Sequence, residues 1–316
     1  MVSLAELFHY GTVTLSVSIT ALGVGLGEGL ASIAIFKALN IQPQARSDII
    51  RTAILGMALI ETAAIMGITM ALVVLLGSPA STPTLYTGIA EMGIVCAICL
   101  SGFVLGIVSA LPVQQACLSI ARQPFFGQKI TRFMLITQSI IQTPIIFGFV
   151  IAMYIKDAAL SITDLYESIR LLACGISIGL GSIGPALGLA HFAKTACMSI
   201  GLNRDAYNKL LTFTLVSEAI IETPIIFSMV VALLLTSLTS NTFVGCIGML
   251  AASLSIGFGT LGTGISSGRT AAQACYQIAL NPAQSGLLSR VSMFAQGLMD
   301  TIAIYALLIS IAILFY

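Results

Sequence analysis

Long apolar runs alternate along this chain with short connections that hold most of its polar and charged residues. The runs fall at about 11–38, 50–76, 89–118, 130–155, 168–198, 209–237, 243–277 and 287–315. Each exceeds the roughly 20 residues that a helix needs to cross the hydrocarbon core of a bilayer, so eight transmembrane helices are predicted. Composition agrees, with 58% of the 316 residues hydrophobic and 8% charged. Soluble domains carry roughly a quarter charged residues, so a soluble fold is excluded. A net charge of +1 points to no nucleic-acid partner. No basic region precedes the first apolar run, and no cleaved leader is expected.

The placement of charge predicts orientation. Ten of the 13 Lys and Arg residues cluster around four connections: Lys37, Arg46 and Arg51; Arg122, Lys129 and Arg132; Lys194, Arg204 and Lys209; and Arg290. The opposite connections carry Glu6, Glu91, Asp157, Asp164 and Glu167, with Lys156 and Arg170 as their cations. Excess positive charge stays in the cytoplasm, which puts the four basic loops there and both termini on the other side. The expected location is a membrane, with the protein integral and multi-pass, and the bacterial inner membrane is the expected one. "CAIC" at 96–99 has redox spacing, but at lipid depth its cysteines read as small packing residues.

The chain repeats itself. When the loops "NIQPQAR", "ARQPFFG", "GLNRDAY" and "ALNPAQS" are superimposed, Pro43, Pro124, Arg204 and Pro282 share one position. Eighteen residues beyond these lie Glu61, Gln142, Glu222 and Asp300, separated in turn by 81, 80 and 78 residues. The predicted architecture is therefore all-α: four tandem two-helix hairpins, all pointing the same way, over 1–80, 81–160, 161–240 and 241–316. About 16 residues at 1.5 Å each place the acid roughly 24 Å along its helix, deep in hydrocarbon. An ionised carboxylate there costs several kcal/mol or more unless paired, and burial favours its neutral form. A group that is neutral facing lipid and ionised beside a counter-charge is a proton carrier.

On the antiparallel helix the residue level with Glu61 is Glu28, and its counterparts are Ser109, Leu189 and Ser267. The first helices are dense in glycine, at Gly23, Gly25, Gly27 and Gly29 and again from Gly257 to Gly268. Small residues let helices approach closely in lipid, as an inner circle of helices requires. "GLGSIG" and "GFGTLG" match the dinucleotide fingerprint, but no βαβ unit surrounds them.

A glycine-rich first helix, an "RQP" loop at Arg122, Gln123 and Pro124, and a carboxylate 18 residues later resemble the c subunit of F-type rotary ATP synthases. "LGMALIETAAIMGITMALVVLL" (55–76) is similar to that family's second helix. Fused hairpins are more typical of the related V-type and archaeal proteolipids. The resemblance spans the chain four times and implies a rotor ring built from about three copies. It implies a non-catalytic protein without cofactor, coupling ion movement to ATP chemistry carried out by partner subunits. A stator subunit would supply an arginine to each acid, and a central stalk would meet the loops at Gln42, Pro43, Arg122, Gln123, Pro124, Asn281 and Pro282. Glu61, Glu222 and Asp300 match the ion-carrying position, and Gln142 is a silent site because an amide cannot titrate. Ile41, Leu202 and Leu280 replace the loop arginine elsewhere.

The family's sodium sites add a first-helix Gln or Glu and a hydroxyl immediately after the acid. Thr62, Thr143, Thr223 and Thr301 stand there. Glu28, Glu61 and Thr62 resemble a two-carboxylate sodium site, whereas Leu189 and the absence of other first-helix acids favour protons. The expected cargo is H+, with Na+ the alternative. Ser267 and Tyr305 are further candidate supports for Asp300, and Glu218 is either a relay acid or a satisfied neighbour. Pro144 and Pro224 free the carbonyls of Ile140 and Ile220, for a ligand or a simple kink. His191 and Arg269 share a position expected to face another helix or the ring interior. An ion-coupled secondary transporter or a structural pore proteolipid are the competing readings.

Overall fold

The computed structural model describes residues 4–77, 84–239 and 242–316, almost all of them helical. Among the described residues, eight helices are long and apolar enough to cross a membrane: α1 (Leu4–Ile41), α2 (Pro43–Leu76), α3 (Leu85–Arg122), α4 (Pro124–Ala159), α5 (Leu165–Leu202), α6 (Arg204–Ser237), α7 (Phe243–Leu280) and α8 (Pro282–Phe315). The expected boundaries at 80/81 and 240/241 lie outside the described residues, and 160/161 falls between α4 and α5.

Local chemistry sets the helix ends. Each even-numbered helix opens with one 3-10 turn, and in three of them its first residue is proline. Proline suits that place because its fixed φ is pre-set and its missing N–H would have no partner there. Arg204 replaces it in the third hairpin, where the Asn203 side chain instead accepts the Asp205 N–H at 3.1 Å. At the opposite end Thr84, Asp164 and Thr242 cap α3, α5 and α7 through the N–H groups of Thr87, Glu167 and Gly245.

Helices α1, α3, α5 and α7 pack side by side in one close row, while α2, α4, α6 and α8 form a looser row on one side of it. Glycine makes the first row close. A Cβ on Gly23 would lie 2.5 Å from the Phe103 carbonyl oxygen, and one on Gly184 would lie 2.5 Å from that of Leu261. Gly27 meets the Gly106 backbone and Gly188 meets Gly264 in the same way. A tight row backed by a loose one curves into an arc. The arc has open ends: 72% of the most apolar window of α5 is buried, against 17% for α8.

Polar ties also join the hairpins. Gln123 Nε2 donates to the Gly201 carbonyl at 3.0 Å, and Asn203 Nδ2 repeats the contact on Ala279 at 2.9 Å. At the other end of the helices, His9 Nδ1 lies 2.8 Å from Glu91, whose second oxygen is 3.8 Å from Lys156 Nζ. All three side chains are buried. Charges out of water persist when paired, so these residues of α1, α3 and α4 lock two hairpins together. Arg170 donates to the carbonyls of Leu235 and Thr236. Charges that mark one side of the membrane in the sequence thus also act as fasteners.

Candidate functional site

Glu61, Gln142, Glu222 and Asp300 occupy equivalent points of α2, α4, α6 and α8. At two of them the helix tightens by one turn: Glu61 (φ −60°, ψ −20°) and Gln142 (φ −76°, ψ −13°) interrupt otherwise regular α-helix. Pro144 removes an N–H from the ladder two residues beyond Gln142, but Pro224 does the same in α6 without interrupting it, and Glu61 tightens with no proline nearby. The carbonyl of Ile140, released by Pro144, does not wait for a ligand. It accepts the Thr143 hydroxyl at 2.8 Å.

Two of the side chains at this point face the preceding hairpin. Gln142 Nε2 donates to the Leu59 carbonyl at 3.0 Å, reaching from the second hairpin to the first. The Glu222 carboxyl stands near the Thr143 hydroxyl, from the third hairpin to the second. Gln142 is 4% exposed and Asp300 8%. Glu61 has no hairpin before it and is exposed. The carboxyl of Glu28, on α1, stands close to its own. The large apolar side chains around the acids, such as Ile65, Ile226 and Ile304, are exposed as a lipid-facing surface would be.

The other candidate residues are less closely engaged. Thr223 and Thr301 donate to their own helices, at Ala219 and Leu298, a common alternative for threonine in a helix. Thr62 is half-buried beside Glu61. Ser267 is buried and points to Gln296 Oε1 at 3.5 Å rather than to Asp300. Tyr305 is 63% exposed and faces away. Leu189 is fully buried. His191 and Arg269 are both exposed and lie within electrostatic reach of each other.

At a second polar position, one turn before the acid, sequence reasoning singles out Glu218 but misses Gln138 and Gln296. Gln138 Nε2 donates to the carbonyls of Gly56 (3.0 Å) and Ser109 (3.3 Å). Gln296 Nε2 reaches Ser292 (3.0 Å) and Ser217 (3.4 Å). The signal was available, because these residues recur at one offset from the repeated loop.

The sequence profile of the ATP synthase c subunit family matches residues 12–74, 92–155, 172–235 and 250–313, one match per hairpin. Similar proteins include the ATP synthase c subunit of Chloroflexus aurantiacus, 33% identical over 69 residues, which are 22% of this chain and 91% of that protein. The c subunit of Dehalococcoides mccartyi is 36% identical over the same shares of both chains. For Campylobacter fetus the figures are 32% over 79 residues, 25% of this chain and 77% of the relative. Nearly a whole relative thus fits into a quarter of this chain, and the remaining quarters match the same profile. The chain belongs to the ATP synthase c subunit family, whose members are non-catalytic ion-translocating rotor subunits, and it carries the family hairpin four times.

Proposed function

We propose that this chain carries protons through the membrane on Glu61, Glu222 and Asp300, as part of a ring of about three copies whose rotation couples to ATP synthesis or hydrolysis. The observation that supports the reading is the common register of three carboxyls, which stand at equivalent points of α2, α6 and α8. Protons are favoured over sodium by the oxygen count, since a hard cation needs several oxygen ligands. Glu222 has the Thr143 hydroxyl beside it and a buried leucine at its level, and Ser267 is committed to Gln296. Only Glu28, Glu61 and Thr62 gather enough oxygen for sodium to compete. Gln142 is the silent position.

The open ends of the arc join in the ring, with the fourth hairpin of one copy against the first of the next. The internal joints supply the pattern for what Glu61 meets there. Gln142 finds the Leu59 carbonyl and Glu222 the Thr143 hydroxyl, so Glu61 meets the Leu298 carbonyl and Thr301 hydroxyl of a neighbouring copy. A stator arginine serves each acid as it passes. The central stalk docks on the proline loops, where Phe125 stands fully exposed beside a cleft of about 490 Å³ lined by residues 122–126 and 202–205.

Two measurements test this. A buried protonated carboxyl reacts with dicyclohexylcarbodiimide and an amide does not, so adducts are expected at Glu61, Glu222 or Asp300 and never at Gln142. Labelling confined to surface acids such as Asp164 would sink the assignment, and protection by sodium at constant pH would replace protons with sodium. For orientation, single cysteines near Gln44, Gln128, Asn208 and Gln284 are expected to react from the cytoplasm, and those near Thr84 and Thr163 from the other side. Two of the four loops reacting from outside would point instead to an inverted-repeat transporter.

A further inference from the structure

Glu218 is the most unusual side chain in the described structure. It lies on α6 one turn before Glu222 and is 0% exposed. Neither of its carboxyl oxygens has a hydrogen-bond partner among the described residues. The titratable groups that face it are Glu222 on its own helix, Cys197 on α5 and Cys275 on α7. Around the two thiols stand the hydroxyls of Thr137, Ser199 and Thr214. Among the described residues no cation pairs with it. Uncompensated burial of a carboxylate is among the most costly arrangements in a protein, and lipid on the outer side makes it worse. The carboxyl is therefore neutral and owns an O–H.

The repeat says where that O–H belongs. Gln138 and Gln296 hold the same offset from their loops as Glu218, and each uses its amide N–H to join its hairpin to the one before. Gln138 donates to the Gly56 carbonyl across the joint and to the Ser109 carbonyl on its own inner helix. The residues in register with those two acceptors, one hairpin on, are Thr137 and Leu189. If the carbonyls of these two residues stand to Glu218 as those of Gly56 and Ser109 stand to Gln138, a carboxylate would be repelled by both, whereas a carboxylic acid can donate to either. Met57 holds the offset in the first hairpin, at the open end of the arc, where no preceding hairpin exists within the chain.

We propose that Glu218 is a positioning residue that keeps its proton throughout the cycle and uses it as a hydrogen-bond donor across the joint between the second and third hairpins. It does with an O–H what Gln138 and Gln296 do with an amide. Retention of the proton also matters to Glu222, because a second negative charge one turn away in low dielectric would oppose ionisation there. Glu218 is thus a permanent acid next to a cycling one, and this role rests on the proton-carrying reading of Glu222.

The test compares infrared spectra of assembled rings over a pH series, with Glu218→Gln, Glu222→Gln and Glu218→Leu beside the unaltered protein. A protonated-carboxyl C=O band that disappears in Glu218→Gln identifies residue 218. It is expected to persist at pH values where the band assigned through Glu222→Gln has gone. Glu218→Gln is expected to assemble like the unaltered chain, and Glu218→Leu, which has no donor, to assemble poorly. A residue-218 band that vanishes together with that of Glu222 would overturn the proposal, making Glu218 a second carrier. So would failure of Glu218→Gln to assemble, or normal assembly of Glu218→Leu. The band and the assembly readings need no rotation, so their failure is distinct from a failure of the proton-carrying assignment, which carbodiimide labelling decides.

Discussion

Replacing Gln142 by glutamate is expected to raise the ions moved per ATP by up to about one third, from three ionisable sites per chain to four. The site can receive the change. Gln142 is buried and donates to the Leu59 carbonyl, and a protonated glutamate would place its O–H where the amide N–H now sits. Thr143 already donates its hydroxyl to the Ile140 carbonyl and does not compete for the Leu59 carbonyl. As an amide, residue 142 passes through lipid without having to be protonated, provided that its hydrogen bond is kept. At a fixed free energy of ATP hydrolysis, fewer ions per ATP allow pumping against a steeper gradient, and synthesis then demands a larger driving force. The limiting gradient of reconstituted complexes at a set ATP/ADP ratio should therefore fall to about three quarters in Gln142→Glu. An unchanged limit in a coupled, fully assembled variant, with residue 142 shown to titrate, would mean that the amide does not set the gear. Drift in a duplicated hairpin predicts the same ratio but no benefit, so growth under a steep opposing gradient separates drift from selection.

The residues that announce this site and those that build it are legible to different degrees. Eight spans, four parallel hairpins and the register of Glu61, Gln142, Glu222 and Asp300 follow from apolar length and a repeated offset, both local properties. Counting residues along two antiparallel helices even pairs Glu28 with Glu61. What periodicity leaves open is which neighbour a helix face meets. Thr143 belongs to the environment of Glu222, although the two are 79 positions apart and the sequence puts each threonine with its own acid. Glu91 and Lys156 read as markers of the outer side, and only the packing of three separate helices shows them buried together with His9. Pro144 does free a carbonyl, but a threonine hydroxyl one residue away captures it first. Tyr305, five residues beyond Asp300, lies about 140° further round the helix, and the structure leaves it on the open face.

The joint between copies is the place where one substitution should separate folding from assembly. Gly23 and Gly184 hold the same position in the first and third hairpins, and each lies against the backbone of the next inner helix, at Phe103 and Leu261. Gly262 holds that position in the fourth hairpin and has nothing within 4 Å of its missing side chain. If copies join as hairpins do, the space beside Gly262 is filled by the backbone around Leu22 of the neighbouring copy. Gly184→Leu is then expected to destabilise the chain itself, by about 2 kcal/mol or more, because two helix backbones must separate to admit the side chain. Gly262→Leu should leave the single chain inserted and as heat-stable as before, yet prevent ring closure. Thermal unfolding of the isolated chain and the mass of the assembled particle read the two effects separately. A closed ring formed by Gly262→Leu at its ordinary mass would show that the chain-to-chain joint does not copy the internal ones, and that the partners assigned to Glu61 across it are wrong.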